Sequence, residues 1–389
     1  MSHILPPDAP VRRMAVPPLL PVSQAIGIAR LLCILGIVYV HGWTGLSGEA
    51  MAAQVGSAQD VLRWTMMELV GRGAVPLLSI VSGWLVARSL ARRGASGLIA
   101  AKARTVLLPM LLWNGLAMLL VVGAGWLGVP DMPSLGGPAW LADNLLNLTR
   151  GGDINVQTAF LRDLFLCMLA APILVRQRAG GLWLLIGATA VWTIAGWQLY
   201  LLLRPSILLF FVAGILASRH GMAERLGTLR PWRAALPFFA ILPLKIWLSI
   251  RSEANPGFHP ELLNGVDLLM RASAALLAWR MAMAIARHRA APSLLGLERY
   301  GFLLFCSHLL FTWLVAPAIG ALTGPMGSPG WPLYFLVQPL LALGFAMLLA
   351  SGIEAISPRA ASLLSGGRLG AAQTASPAAL PLAQAHWKL

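Results

Sequence analysis

The sequence has 389 residues, of which 58% are hydrophobic and only 11% are charged, and its mean hydropathy is +0.74. This balance excludes an ordinary soluble domain and places most of the chain in a lipid bilayer. The net charge of +15 would favour nucleic acid as the partner of a soluble protein. Here the basic residues follow the membrane topology instead, so no nucleic-acid partner is expected.

Ten apolar segments approach the roughly 20 residues with which a helix crosses about 30 Å of hydrocarbon. They cover residues 25–46, 72–88, 105–127, 159–175, 182–203, 206–219, 234–250, 266–285, 302–322 and 332–355. The sequence therefore predicts an all-α polytopic membrane protein with about ten transmembrane helices. Most Lys and Arg residues fall in loops on the side of the N-terminus, and the positive-inside rule then places both termini in the cytoplasm.

Three regions are predicted along the chain. A membrane domain of residues 24–357 lies between two flexible cytoplasmic tails, 1–23 and 358–389, which are rich in proline or in small and polar residues. A cleaved signal peptide is the competing interpretation of residues 25–46. It is disfavoured because Arg30 would interrupt the apolar core of such a peptide.

Two long loops on the outer side, 47–71 and 128–158, are expected to form a lid over an outward-facing site. The three cysteines, Cys33, Cys167 and Cys306, all fall within predicted spans. They are interpreted as small buried hydrophobic residues, so neither a disulfide nor a bound metal is expected.

Two polar residues interrupt the first apolar segment. Arg30 and His41 are 11 residues apart, which is about 3.06 helical turns, so both lie on one face about 16 Å apart along the axis. An arginine suits recognition of phosphate or carboxylate, and an imidazole suits proton transfer. The alternative is structural: the arginine snorkels to the headgroups and the histidine hydrogen-bonds to a neighbouring helix.

Other charges are interpreted more simply. Lys245, Arg271, Arg280 and Glu354 lie near predicted span ends, where long side chains snorkel into the headgroups. The loop after the second span is strongly basic, and this charge either reports topology alone or holds an anionic cytosolic ligand such as a nucleotide-bearing acyl donor. Its basic residues are Arg88, Arg92, Arg93, Lys102 and Arg104.

Several segments resemble acyltransferase family 3, the integral membrane O-acyltransferases, and they occur in the family's order. "RLLCILGIVYVH" fits the family's Arg, ten residues, His pattern, and "RGAVPLLSIVSGWLVA", with Ser82, fits its Pro-apolar-Ser-Gly helix. "KARTVLLPMLLWN", "AFLRDLFLCMLAAPIL", "ILLFFVAGILAS" and "GFLLFCSHLL" resemble later family segments. Ala159 and Phe305 depart from the pattern, because the family usually has Trp and Tyr at these positions.

The resemblance implies transfer of an acyl group, often acetyl, from cytosolic acyl-coenzyme A to a sugar hydroxyl at the outer face of a bacterial inner membrane. His41 would then be the general base, and Arg30 would bind the donor or stabilise charge. Lys102 and Arg104, with the three arginines before them, would attract the coenzyme A phosphates. Asp163 either orients an imidazole or pairs with Arg162, and His308 is either a second proton carrier or a helix–helix hydrogen-bonding group.

The implied partners are acyl-coenzyme A such as acetyl-coenzyme A as the donor substrate, a polysaccharide or glycolipid acceptor, membrane lipid and a polysaccharide synthase complex. No permanently bound cofactor is expected. In size and general character the chain also resembles the transacylases found beside cellulose synthases in acetic-acid bacteria, which would make cellulose or another exopolysaccharide the acceptor. Two alternatives remain open: a transporter that uses Arg30 and His41 as a proton or substrate path, and a non-catalytic subunit of a polysaccharide synthase.

Overall fold

The computed structural model describes residues 20–129, 131–149, 153–199, 201–255 and 257–370. These residues form helices and connecting loops, with no strand among them. In chain order the helices are α1 Leu20–Val40, α2 Gly48–Ala52, α3 Ala58–Met66, α4 Ala74–Lys102, α5 Leu108–Trp126, α6 Pro138–Leu146, α7 Ala159–Leu174, α8 Ala179–Ala195, α9 Pro205–Arg219, α10 Met222–Gly227, α11 Pro231–Ala254, α12 Pro260–Ile285, α13 Ala291–Leu310, α14 Ala316–Thr323, α15 Trp331–Ile356 and α16 Pro358–Leu364. Short π-helical stretches lie before α4, between α4 and α5, and between α13 and α14.

The predicted all-α polytopic fold is confirmed. Among the described residues, seven apolar helical runs are long enough to cross a membrane. One of them, Ala58–Trp126, contains a break at Gly94, whose backbone (φ 68°, ψ 179°) is not helical, so this run supplies two of the predicted spans. Helices α8 and α9 are shorter but apolar, and each of the ten predicted segments therefore corresponds to a helix.

Helix α1 lies inside the bundle and packs on α4, α12, α13 and α15. Its contact with α13 uses small residues: a Cβ on Gly27 would lie 2.6 Å from Leu295, and one on Gly301 would lie 3.2 Å from Ile34. Residue numbers rise together along the two helices, so α1 and α13 run parallel. Glycine lets membrane helices approach closely, because association there depends on van der Waals packing.

Helices α4 and α9 form a second close contact. A Cβ on Gly83 would overlap the carbonyl oxygen of Phe211, and a Cβ on Gly214 would overlap that of Ile80. The glycines of the two apolar motifs therefore face each other's helices. Ser82 precedes Gly83 and is only partly buried, which makes the glycine the packing residue of its motif.

The end of the predicted lid loop 128–158 lies inside the bundle. Asn147 and Thr158 are fully buried, and the amide of Asn114 on α5 donates to Asn147 Oδ1 at 3.0 Å. Gln157 donates to the carbonyl oxygen of Cys306 on α13 at 3.2 Å. These bonds satisfy polar groups that would otherwise be costly inside a membrane protein, so this part of the loop connects helices rather than covering them.

Residues 358–370 differ from the flexible tail predicted from residue 358. Helix α16 and the loop after it pack on the bundle, where Trp113 donates to the carbonyl oxygen of Leu364 at 2.9 Å. Glu354, predicted to snorkel, accepts a hydrogen bond from the backbone of Gly370 at 3.1 Å. Residues 371–389 and most of the predicted N-terminal tail lie outside the described residues.

A buried ion network joins the π-helical stretch before α4 to α11 and α12. Lys245 is 4% exposed, and its Nζ lies 3.5 Å from both Glu68 Oε1 and Asp267 Oδ1. Arg72 pairs with Glu68 and Asp267, and Arg271 pairs with Asp267. The prediction that Lys245 and Arg271 snorkel is wrong, because Lys245 meets carboxylates from two other parts of the chain and Arg271 pairs with Asp267 one turn earlier in its own helix.

The α4–α9 contact predicts opposite results for two glycine substitutions. Gly83→Ala places a Cβ against the backbone of α9, and such overpacking costs about 1–3 kcal/mol, so we expect a lower thermal unfolding midpoint in detergent. Gly187→Ala is the matched control, since a Cβ there meets nothing within 4 Å and alanine favours the helix. Equal midpoints for the two variants would contradict the contact.

The ion network predicts an order of stability. Its three cations face two carboxylates, so Lys245→Met leaves equal numbers of each, whereas Glu68→Gln leaves three cations with one carboxylate. Uncompensated buried charge costs about 3–5 kcal/mol. We expect Glu68→Gln to lower the unfolding midpoint far more than Lys245→Met, and the reverse order in thermal melts would refute this account of the network.

Candidate active site

Arg30 lies well inside the bundle. It is the eleventh residue of α1, which places it about 15 Å from the start of the helix. Its Nη1 is 3.6 Å from Glu298 Oε1 on α13, and the two side chains are 37% and 25% exposed. Arg30 is therefore a partly exposed, paired cation toward the end of the bundle that carries the basic loop. We call this end the basic end.

Lys102 is the member of the predicted basic loop that joins Arg30. The charges of Arg30, Arg93 and Arg368 all act on it. The other predicted residues lie further out: the Arg88 guanidinium is 5.1 Å from the ring centre of Trp84. Arg92 and Arg104 are exposed. The predicted basic group therefore divides into Lys102, which interacts with Arg30, and arginines on the exposed surface around it.

His41 and His308 meet at the opposite end, which we call the histidine end. Their ring centres are 5.5 Å apart. Nδ1 of His308 lies 2.8 Å from the carbonyl oxygen of Phe305 in its own helix, so we assign the ring proton to Nδ1. Its Nε2 is buried and hydrogen-bonds to none of the described residues. His308 thus bonds within its own helix and presents a lone pair near His41.

Helix α15 fixes the chain beside His41. The backbone N–H of Trp43 donates to Gln338 Oε1 at 3.2 Å, and the indole of Trp331 donates to the carbonyl oxygen of Trp43 at 3.0 Å. Because α1 ends at Val40, these bonds replace helical ones in holding the segment. His41 is therefore held at a helix end that a neighbouring helix anchors.

One register connects the two ends. Arg30 and His41 are separated by 11 residues, and their partners Glu298 and His308 by ten. In parallel helices these separations correspond to about 16 and 15 Å, so a single helix pair forms both contacts.

Asp163 has a different role from orienting His41. Its carboxylate is fully buried and accepts hydrogen bonds from Arg162 Nη1 at 2.8 Å, from the backbone of Arg204 at 2.7 Å and from that of Leu203 at 3.3 Å. The expected pairing with Arg162 is present. The carboxylate also holds the turn before α9, and the charge of Arg204 in that turn acts on His41.

A cavity of about 310 Å³ opens beside Arg204 at the histidine end. Hydroxyl, amide, charged and indole groups line it, a mixture that suits a sugar. Its polar lining includes Thr149, Asp153, Trp192, Thr193, Arg204 and Asn264. Ala159 also lines it, so the small residue at this position leaves the cavity open.

A helical membrane protein with cations and imidazoles at two depths has the architecture of a membrane-embedded group-transfer enzyme. The family model described as an acyltransferase domain matches residues 23–351, and the chain belongs to this acyltransferase family. It is 27% identical over 369 residues to the succinoglycan biosynthesis protein ExoH of Rhizobium meliloti (strain 1021), covering 91% of this chain and 95% of that protein. No solved structure matches it significantly.

The sequence indicated Arg30, His41 and Lys102 but missed their partners. Sequence patterns assign no role to Arg204, Glu298 or Arg368. The charge of each was visible, yet its position depends on long-range packing. A conspicuous signal was the proline of Arg204-Pro205, since proline favours the first turn of a helix and so marks the turn that Asp163 binds.

The cavity predicts a pH effect on stability. Burial raises the pKa of Asp153 to about 6, with Asp143 adding to the shift and the Asn147 amide opposing it. The unfolded group has a pKa of about 3.9, so folding is weakened as pH rises from about 4 to about 6. We expect Asp153→Asn to raise the unfolding midpoint at pH 7 but not at pH 4.

Asp131→Asn, in an exposed loop, is the control for this measurement. A midpoint of Asp153→Asn that follows the wild type at both pH values would contradict the expected effect of burial.

Proposed function

We propose that the protein transfers an acyl group, acetyl in the simplest case, from acyl-coenzyme A to a hydroxyl of an exopolysaccharide or other envelope glycan. The donor binds at the basic end, which faces the cytoplasm of a bacterial cell, and the acceptor reaches the histidine end from outside the inner membrane. Family membership supports the reaction type. The name of the relative, a succinoglycan biosynthesis protein, supports a polysaccharide as acceptor.

One observation carries this proposal: Arg30 with Glu298 and His41 with His308 occupy two depths of one parallel helix pair. A cation at the first depth suits donor phosphates, and imidazoles at the second suit general-base catalysis. The long pantetheine arm of coenzyme A separates its phosphates from the thioester. A donor held by its phosphates near Arg30 therefore extends its thioester along the helices toward His41.

The reaction follows from these positions. His41 accepts the proton of the acceptor hydroxyl as its oxygen attacks the thioester carbonyl. The carbon–sulfur bond breaks, the new ester forms, and the imidazolium returns its proton to the coenzyme A thiolate. The ring of His308 on α13 lies 5.5 Å from that of His41, and its Nε2 gives the proton a second site between these steps.

The remaining polar groups serve the two substrates. Lys102 joins Arg30 in binding donor phosphates, and Arg88, Arg92, Arg93 and Arg104 raise the local concentration of the anionic donor. The cavity beside Arg204 receives the acceptor, whose sugar rings stack on Trp192 and hydrogen-bond to the neighbouring amides and hydroxyls.

Removal of the proposed base tests this function. Loss of a general base slows a reaction by about 10²–10⁴-fold, so we expect His41→Ala to abolish measurable O-acylation of the cell-surface polysaccharide and transfer from labelled acetyl-coenzyme A in membranes. His220→Ala, at an exposed position after α9, is the control. Full acylation by a well-inserted His41→Ala variant would exclude the proposed role and favour a non-catalytic subunit.

The same strains distinguish an acyltransferase from a transporter. A transporter moves the glycan without covalent change, so its loss would reduce surface polymer while the acyl content of each chain stays the same.

A further inference from the structure

The loop after α16 places an arginine beside Phe302 at the basic end. The Arg368 guanidinium lies 4.4 Å from the ring centre of Phe302 on α13, and the charges of Arg30 and Glu298 both act on it. Arg368 is exposed, and its guanidinium is a cation at neutral pH. A residue beyond the last long helix thus adds its charge to that of Arg30.

Short-range bonds hold this loop in place. Ser365 is fully buried, and its hydroxyl oxygen accepts hydrogen bonds from the backbones of Arg368 at 3.1 Å and Leu369 at 2.9 Å. Leu369 itself is 1% exposed. The chain before Arg368 turns at Gly366 (φ 62°), where a Cβ would lie 2.5 Å from the carbonyl oxygen of Thr105. The loop is therefore fitted against the chain just after Lys102.

The basic end carries more positive than negative charge around Arg30. Arg30, Lys102 and Arg368 act on one another, whereas Glu298 is the carboxylate that faces Arg30 and Arg368. Glu354 accepts its hydrogen bond from the backbone of Gly370. Like charges brought together inside a protein repel one another, and a bound anion relieves this repulsion.

We propose that Arg30, Lys102 and Arg368 form one anion site for phosphate groups, to which residues 357–370, the C-terminal strap, contribute the third cation. The identification of these phosphates with those of the acyl-coenzyme A donor rests on the proposed function. An anionic phospholipid headgroup offers the same chemistry. The strap extends the donor site beyond the residues expected from the basic loop.

Substitution of Glu298 provides a control whose effect on anion affinity should be opposite to that of substituting Arg368. Its carboxylate neutralises part of the positive charge and competes with an anion for Arg30. The site therefore predicts that removal of Glu298 tightens anion binding, whereas removal of Arg368 weakens it. If the role of Arg368 were purely structural, the two substitutions would not change anion affinity in opposite directions.

The test measures coenzyme A binding by the full-length protein in nanodiscs of neutral phosphatidylcholine. We expect Arg368→Gln to weaken binding at least tenfold, Arg368→Lys to weaken it less and Glu298→Gln to strengthen it. Arg359→Gln is the matched control, because Arg359 is an exposed arginine of the same strap. Thermal melts show whether each variant is folded. Equal affinities for Arg368→Gln and Arg359→Gln, or no binding of coenzyme A by the wild type, would overturn the proposal.

A second arm replaces part of the lipid with phosphatidylglycerol. Competition with coenzyme A in the wild type, reduced in Arg368→Gln, would identify the lipid headgroup as a second occupant of this site. Acylation of polymer in cells is measured separately. Normal acylation combined with unaltered coenzyme A binding by Arg368→Gln rejects the strap alone, whereas charge-dependent binding without acylation rejects the proposed function alone.

Discussion

The parallel contact between α1 and α13 is the constraint on which the active site depends. Gly27 and Gly301 allow the helices to approach, and their register aligns Arg30 with Glu298 and His41 with His308. A slip of one helical turn, about 5.4 Å, would break both pairs together. The distance between the Arg30–Glu298 pair and the His41–His308 pair is therefore a property of one interface, and the remaining helices support that interface.

Polar groups inside the bilayer need partners within the protein. This requirement explains why the polar residues at the histidine end form two networks. On one side Glu68, Arg72, Lys245, Asp267 and Arg271 form the ion network, and on the other the amides around Asn114 join loop to helix. Asp267 and Arg271 also line the cavity beside Arg204. Residues that stabilise this end thus also form part of the polar surface of the cavity.

Sequence patterns predicted what depends on local periodicity. Long apolar segments identified the helices, and the spacing of Arg30 and His41 identified one helix face. The same patterns did not identify Glu298 or Arg368 as neighbours of Arg30, because periodicity reveals a face but not the helix that packs on it. Residues 358–370 looked like a tail because glycine, serine and alanine also compose flexible chains. In this protein those small residues permit close packing instead.

The distance along the chain between α1 and α13 also affects how the protein is made. Synthesis begins at the N-terminus, so α1 enters the membrane while Glu298 and His308, more than half the chain away, do not yet exist. Arg30 must then reach water through its own flexible stem, and the strongly apolar residues around it must hold the helix in lipid. The apolar character of α1 therefore serves its insertion into the membrane before its partners exist, as well as core packing in the finished bundle.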